Sequence, residues 1–263
     1  MSDNPIYLLI KHRRILLQAT RNDIAERYAG SFVGIGWSIL VPLLLLAVYA
    51  VTYLYIFRVR LPDMSTTAYV VYIFAGLVPF LSISETISLG VPSIVANKAT
   101  LNSTVFPIDL APAKGVLISQ ITMAVGMVIT IIGATIAGTL SWTIVFLPII
   151  WVLQIIALLG LNWLLSLLNV VFRDLQNIIS PILMILLIAS PIAYTPTMIP
   201  PKLAIIITLN PAAYFIKAYQ YLIVFGKLPS PLNIVAIVVI AFVLLALGNW
   251  FFGRVKRIIA DYV

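Results

Sequence analysis

Tyr49, Tyr53 and Phe57 recur every four residues, a spacing that sets three aromatic rings along one face of an α-helix. Two uses fit such a face. One is the aromatic belt that anchors membrane segments at the water boundary. The other is a ladder of flat apolar surfaces with hydroxyl handles. Sugar rings have apolar C–H faces and polar rims, and tyrosine offers both a face and a hydrogen bond. A second candidate is Glu85, the one acid inside an apolar run. A charge at mid-bilayer costs about 3 kcal/mol on insertion scales. It must therefore face a cavity, a partner or a proton, either as a proton or substrate site or as a hydrogen bond between helices.

Other chemistry is missing. There is no cysteine, which excludes disulfides and thiol nucleophiles, and a lone His12 excludes a histidine-rich metal centre. No phosphate-binding Gly-x-x-x-x-Gly-Lys-Ser/Thr loop occurs, since Gly226-Lys227 is followed by Leu228. Neither a His-Glu-x-x-His zinc site nor a Gly-x-Ser-x-Gly nucleophile turn is present. Asp109 and Asp174 stand apart from other acids, so no carboxylate pair suggests an enzyme. Any energy from ATP must come from another chain.

The elements that carry these residues follow from composition. Of 263 residues, 62% are hydrophobic and 9% are charged, against roughly a quarter charged in an average soluble domain. A soluble globule of this length cannot hide that much apolar surface. Disorder needs the opposite composition. The chain is expected to be an all-α integral membrane protein with one transmembrane domain, residues 1–263. Six spans are predicted near 32–57, 69–93, 114–138, 143–168, 176–195 and 232–252. Residues 5–29 show helical spacing with a basic side and predict an amphipathic helix lying in the membrane interface. No cleavable signal pattern opens the chain.

Charge orients the spans. With both termini in the cytoplasm, eleven of the 16 Lys and Arg residues fall inside and five outside, as the positive-inside rule requires. The net charge of +8 therefore describes span flanks and not a nucleic-acid surface. Between 196 and 231 six prolines interrupt two apolar stretches too short to cross. Short re-entrant helices on the outer side fit that pattern, because irregular backbone at membrane depth must line protein or a cavity. Gly30, Gly34 and Ser38 repeat every four residues and predict a small-residue face for close helix packing.

Several landmarks together resemble a known family. Arg21-Asn22-Asp23-Ile24, Arg27-Tyr28, Ser31, Gly34, Trp37 and Pro42 look like the opening motif of bacterial ABC permeases that export polysaccharide, the type-2 ABC exporters. Gly76-Leu77-Val78-Pro79-Phe80 resembles that family's second-span turn, and Asn97 through Phe106-Pro107, with Leu110 and Pro112, its coupling segment. Asn169 with Phe172-Arg173-Asp174, then Ser190-Pro191-Ile192-Ala193-Tyr194 and Asn210-Pro211, match later landmarks. The resemblance runs in order from about residue 6 to the end. One departure is that Leu101 to Val105 is uncharged where relatives often carry basic residues, with only Lys98 upstream.

The resemblance implies a channel between two copies of the chain, two separate ABC ATPase subunits carrying ATP and magnesium, and no cofactor or metal in this chain. Its cargo would be a lipid-linked glycan crossing the inner membrane of a bacterial cell, with O-antigen favoured over capsule or teichoic acid. Arg27, Tyr28 and the segment 97–107, with Asn97, Lys98, Leu101, Phe106 and Pro107, would couple to the ATPase. Tyr49, Tyr53 and Phe57 would line the channel. Residues 196–225, with Tyr194, Asn210, Pro211 and Tyr214, would form an outer gate. Arg173 and Asp174 would sit in a cytoplasmic loop. The alternatives are an ABC exporter permease for a small apolar compound or drug, and a membrane scaffold that transports nothing.

Overall fold

The computed structural model describes residues 4–59, 64–97, 107–195, 198, 200, 202 and 204–260. Among these residues there are eleven α-helices and no β-strand. The N-terminal pair is α1 (Pro5–Lys11) and α2 (Arg13–Tyr28), followed by α3 (Trp37–Ala50), α4 (Thr66–Gly90) and the short α5 (Ser93–Ala96). Then come α6 (Leu110–Ala137), α7 (Leu147–Val171), α8 (Leu175–Ala189), α9 (Ala204–Leu209), α10 (Pro211–Gln220) and α11 (Pro231–Ala260).

Local chemistry sets these ends. Asn4 caps α1 through Oδ1, which accepts from Ile6 N at 2.9 Å, with Pro5 in the first turn. Ser65 caps α4 through Oγ, which accepts from Ala68 N at 3.2 Å. Asn210 caps α10 in the same way, accepting from Ala212 N at 3.0 Å, and Pro211 follows at the first helical position. Gly138 ends α6 in the left-handed conformation, φ 70°. The C-terminal end of α3 loosens into a π-helical turn, Val51–Ile56, and α10 into another, Tyr221–Phe225.

Five helical stretches are long and apolar enough to cross a membrane: Trp37–Ile56, Thr66–Gly90, Leu110–Ala137, Trp142–Val171 and Pro231–Lys256. The chain is an all-α, multi-pass integral membrane protein. The stretch expected as a span at 176–195 is helical only over Leu175–Ala189. Its 15 residues extend about 22 Å, short of a hydrocarbon core of about 30 Å. The other predicted boundaries shift by a few residues. The α-helix of the first span starts at Trp37 and not at 32, and the last helix runs on past 252 to Ala260. The predicted single helix over 5–29 is two helices with a bend at His12.

α4 is the centre of the bundle: 72% of its most apolar stretch is buried, against 6% for the first span. Close approach between spans uses glycines that the sequence reading did not single out. A Cβ at Gly160 of α7 would meet the Leu244 backbone oxygen of α11 at 2.2 Å, and one at Gly248 would meet the Gly160 oxygen at 2.2 Å. Gly126 admits Val78, and Gly90 admits Asn162. In apolar surroundings helix association rests on such close packing. The predicted small-residue face at Gly30, Gly34 and Ser38 does not form. Gly30 and Gly34 lie outside the α-helix with φ 75° and 56°, and nothing stands within 4 Å of a Cβ built on either. They are turn glycines, chosen for a conformation that side chains resist. Ser38 alone is buried on the helix.

Candidate translocation path and coupling face

α1, α2 and the facing ends of α4, α6, α7 and α11 gather at one end of the bundle. α1 and α2 are not simply laid on lipid. Leu9 and Leu16 pack onto Leu110 and Ala113, and Ile6 joins the cluster of Trp163 and Phe252. Arg13, Arg14 and Arg21 stay exposed on the other side, the basic face expected from the spacing.

Three ion pairs tie this end together. Arg27 of α2 pairs with Glu85 of α4. Lys114 of α6 reaches Asp23 of α2 at 2.7 Å and donates to Asn97 Oδ1 at 3.2 Å. Lys256 of α11 reaches Asp109 at 2.8 Å, both side chains being buried. Asp109 immediately precedes α6, where a negative charge meets the positive end of the helix dipole, and its carbonyl oxygen accepts from Trp163 Nε1 at 3.1 Å.

Glu85 is therefore five residues from the end of its helix and is paired with a cation of another helix. Asp109 also has a partner the sequence hid, 147 positions away. An acid just before one span and a lysine in the last turns of another were the available signals. Asn97 and Pro107 border the predicted coupling segment, and its Lys98, Leu101 and Phe106 lie outside the described residues. The backbone of Tyr28 ends α2 beside Arg27. Arg173 and Asp174 are exposed in the turn between α7 and α8 and join none of these pairs.

Near this end a cavity of about 540 Å³ separates α3 from α4 and α6. Arg27, Ser38, Ser84, Glu85, Ser88 and Thr122 supply its polar wall. Towards the opposite end of α3, Tyr49 and Tyr53 stack, with centroids 5.9 Å apart and planes 14° apart. Phe57 meets Tyr53 edge-on at 5.5 Å. The predicted aromatic face exists, although Phe57 stands just past the π turn and is 63% exposed.

The opposite end is held by hydrogen bonds among the later landmarks. The Tyr69 hydroxyl donates to Ala193 O at 2.7 Å and Tyr72 to Tyr194 O at 3.2 Å. Gln220 Nε2 donates to Pro191 O and Ile192 O at 3.0 and 3.1 Å. Asn210 Nδ2 donates to Ser190 Oγ at 2.9 Å. Gly76 of α4 makes room for this junction, since a Cβ there would meet Gln220 and the Ile192 backbone. The Tyr214 hydroxyl donates to Thr208 O at 2.9 Å, joining α10 to α9. Tyr194, Asn210, Pro211 and Tyr214 are thus brought into one unit. Tyr69, Tyr72 and Tyr219, by contrast, are buried supports.

Comparison with known proteins places this architecture. The family model for the ABC-2 type transporter matches residues 14–224. The chain belongs to that family. This ABC-2 permease is 26% identical over 258 residues to the O-antigen export system permease protein RfbA of Myxococcus xanthus, with 97% of each chain covered. It is 30% identical over 250 residues to an O-antigen export system permease protein RfbA of Klebsiella pneumoniae, with 94% of each covered. It is 25% identical over 233 residues to the polysialic acid transport protein KpsM of Escherichia coli, covering 86% of this permease and 87% of that protein. The permease is a transport subunit of the bacterial inner membrane, as the landmarks implied.

Proposed function

We propose that the chain is the channel-forming subunit of an ATP-driven exporter that moves lipid-linked polysaccharide, with O-antigen the first choice of cargo, across the cytoplasmic membrane. The relatives named for O-antigen export and polysialic acid transport support a polysaccharide cargo. The single observation that carries a glycan path is the stacked Tyr49–Tyr53 pair with Phe57, set on the least buried span. Rings stacked along a helix offer successive apolar faces to a sliding sugar chain, and their hydroxyls meet its rim.

A polymer of many sugars cannot be enclosed in a pocket, so a continuous channel is required. The bare first span supports a second copy across a two-fold axis, the commonest closed symmetry. α8, extended by Ser190–Tyr194, would complete a sixth crossing, with both termini in the cytoplasm. α9 and α10 would then gate the outer mouth with Tyr194, Asn210, Pro211 and Tyr214. Two separate ATPase subunits would bind ATP and magnesium and push on α2 and the 97–107 segment, including Lys98, Leu101 and Phe106. Asp23–Lys114–Asn97 and Asp109–Lys256 hold both borders of that segment to the bundle, so a push there reaches α2, α6 and α11 together.

Tyr53→Ala is expected to slow surface delivery of glycan while the ATPase subunit still copurifies. Normal export by Tyr49→Ala/Tyr53→Ala would sink the glycan path and favour a small apolar cargo.

A further inference from the structure

The end of the bundle away from α1 and α2 has an unusual charge balance. From residue 175 to 260 the chain contains no Asp or Glu, yet Lys202, Lys217 and Lys227 fall there. Arg58, just past the π turn that ends the first span, adds a further cation. Outward-facing segments are ordinarily poor in cations. Cations left there without acids suit an anionic visitor.

Lys217 is the best placed of them. It sits on α10, partly buried, with Nζ 5.9 Å from the centroid of the Tyr214 ring, and forms no ion pair among the described residues. Beside it opens a cavity of about 540 Å³ between α10, the π turn after it and the start of α11. That is within the range of about 300–1,000 Å³ typical of small-ligand sites. Tyr221 and Phe225 contribute rings 5.2 Å apart to its wall, both partly exposed. Asn233 lines it too. Its Nδ2 donates to Tyr214 O at 3.1 Å, which fixes the amide and leaves Oδ1 to accept. Ser230 lies at the rim. The cavity is distinct from the Tyr49–Tyr53 face, and no residue of that ladder lines it.

We propose that this cavity is an exit subsite for an acidic sugar unit. The rings of Tyr214, Tyr221 and Phe225 take the apolar face of the sugar, Lys217 takes its carboxylate or phosphate, and Asn233 and Ser230 meet its hydroxyls. A charge-assisted contact of this kind is stronger than a neutral one. The assignment of a sugar rests on the export reading above, but binding is measured without transport.

The test uses the full chain in phosphatidylcholine nanodiscs, titrated with trigalacturonate and, separately, maltotriose. Wild-type protein is expected to prefer trigalacturonate by about tenfold or more, the effect of one charged hydrogen bond. Lys217→Gln is expected to abolish the preference and Lys217→Arg to keep it. Equal affinity for the two probes, no binding of either, or an unaltered preference in Lys217→Gln overturns the subsite. Native mass spectrometry supplies the other arm. Retention of phosphatidylglycerol by wild type and its loss in Lys217→Gln would give the site to a lipid phosphate and overturn the proposal. If the nanodisc probes fail while deletion of the gene still removes surface glycan, the subsite falls and the export reading stands.

Discussion

Removal of one partner of the buried Asp109–Lys256 pair tests the coupling frame directly. Lys256 Nζ stands 2.8 Å from Asp109 Oδ1, and relative exposure is 9% and 2% for the two side chains. Lys256→Gln leaves a buried carboxylate with its charge unmatched. Breaking a buried pair from one side costs about 3–5 kcal/mol. Asp109→Asn leaves a buried ammonium and belongs in the same range. The double variant Asp109→Asn/Lys256→Gln removes both charges and lets two amides bond, so it should lose far less than the sum of the singles. The coupling energy between the sites should then lie at about 1–3 kcal/mol. The assay is unfolding of the full chain in mixed micelles by a graded denaturing detergent, with the four proteins compared under one condition. Single variants that each lose under about 1 kcal/mol, or a double variant equal to the sum of the singles, would refute a structural role for this pair.

In the Arg27–Glu85 pair the guanidinium is 46% exposed and the carboxylate 14%, and solvent screening at the guanidinium keeps its contribution to stability to about 1 kcal/mol or less. Its substitution is expected to change function more than folding. Arg27→Glu should uncouple ATP hydrolysis from export, and Arg27→Glu/Glu85→Arg should recover part of it, read as glycan exported per ATP consumed. Gly160→Val should abolish a folded, monodisperse protein in size-exclusion chromatography, because its side chain meets the α11 backbone. Gly34→Ala should lose only about 1 kcal/mol in the same denaturation assay, from φ alone, since the space beside it is open.

The membrane class and most spans were legible because long apolar runs have few structural solutions. The interruptions were legible where proline or an asparagine cap marks them, as at Asn210-Pro211. The start of the first span was not. Gly30, Gly34 and Ser38 have the spacing of a packing face, but two of them supply left-handed backbone, and sequence spacing does not report φ. The glycines that do pack, Gly160 and Gly248, sit in separate spans, and their meeting depends on how α7 and α11 cross. The aromatic face needed only helical periodicity, so Tyr49 and Tyr53 were found and do stack. The ion pairs join residues 58 and 147 positions apart in two cases. Each member alone reads as an ordinary span flank. Glu85 stands out in the sequence as an acid inside an apolar run, but its partner Arg27 lies on the helix expected to rest in the membrane surface, which spacing does not reveal.

The central claim is export of lipid-linked glycan. Its most direct measurement is made on cells with this gene deleted: lipid-linked glycan is extracted and assigned to one side of the cytoplasmic membrane. The account predicts cells without surface polymer and with glycan trapped on the cytoplasmic side, whose composition identifies the cargo. Normal surface glycan with no internal pool, in cells lacking a second exporter, would contradict it.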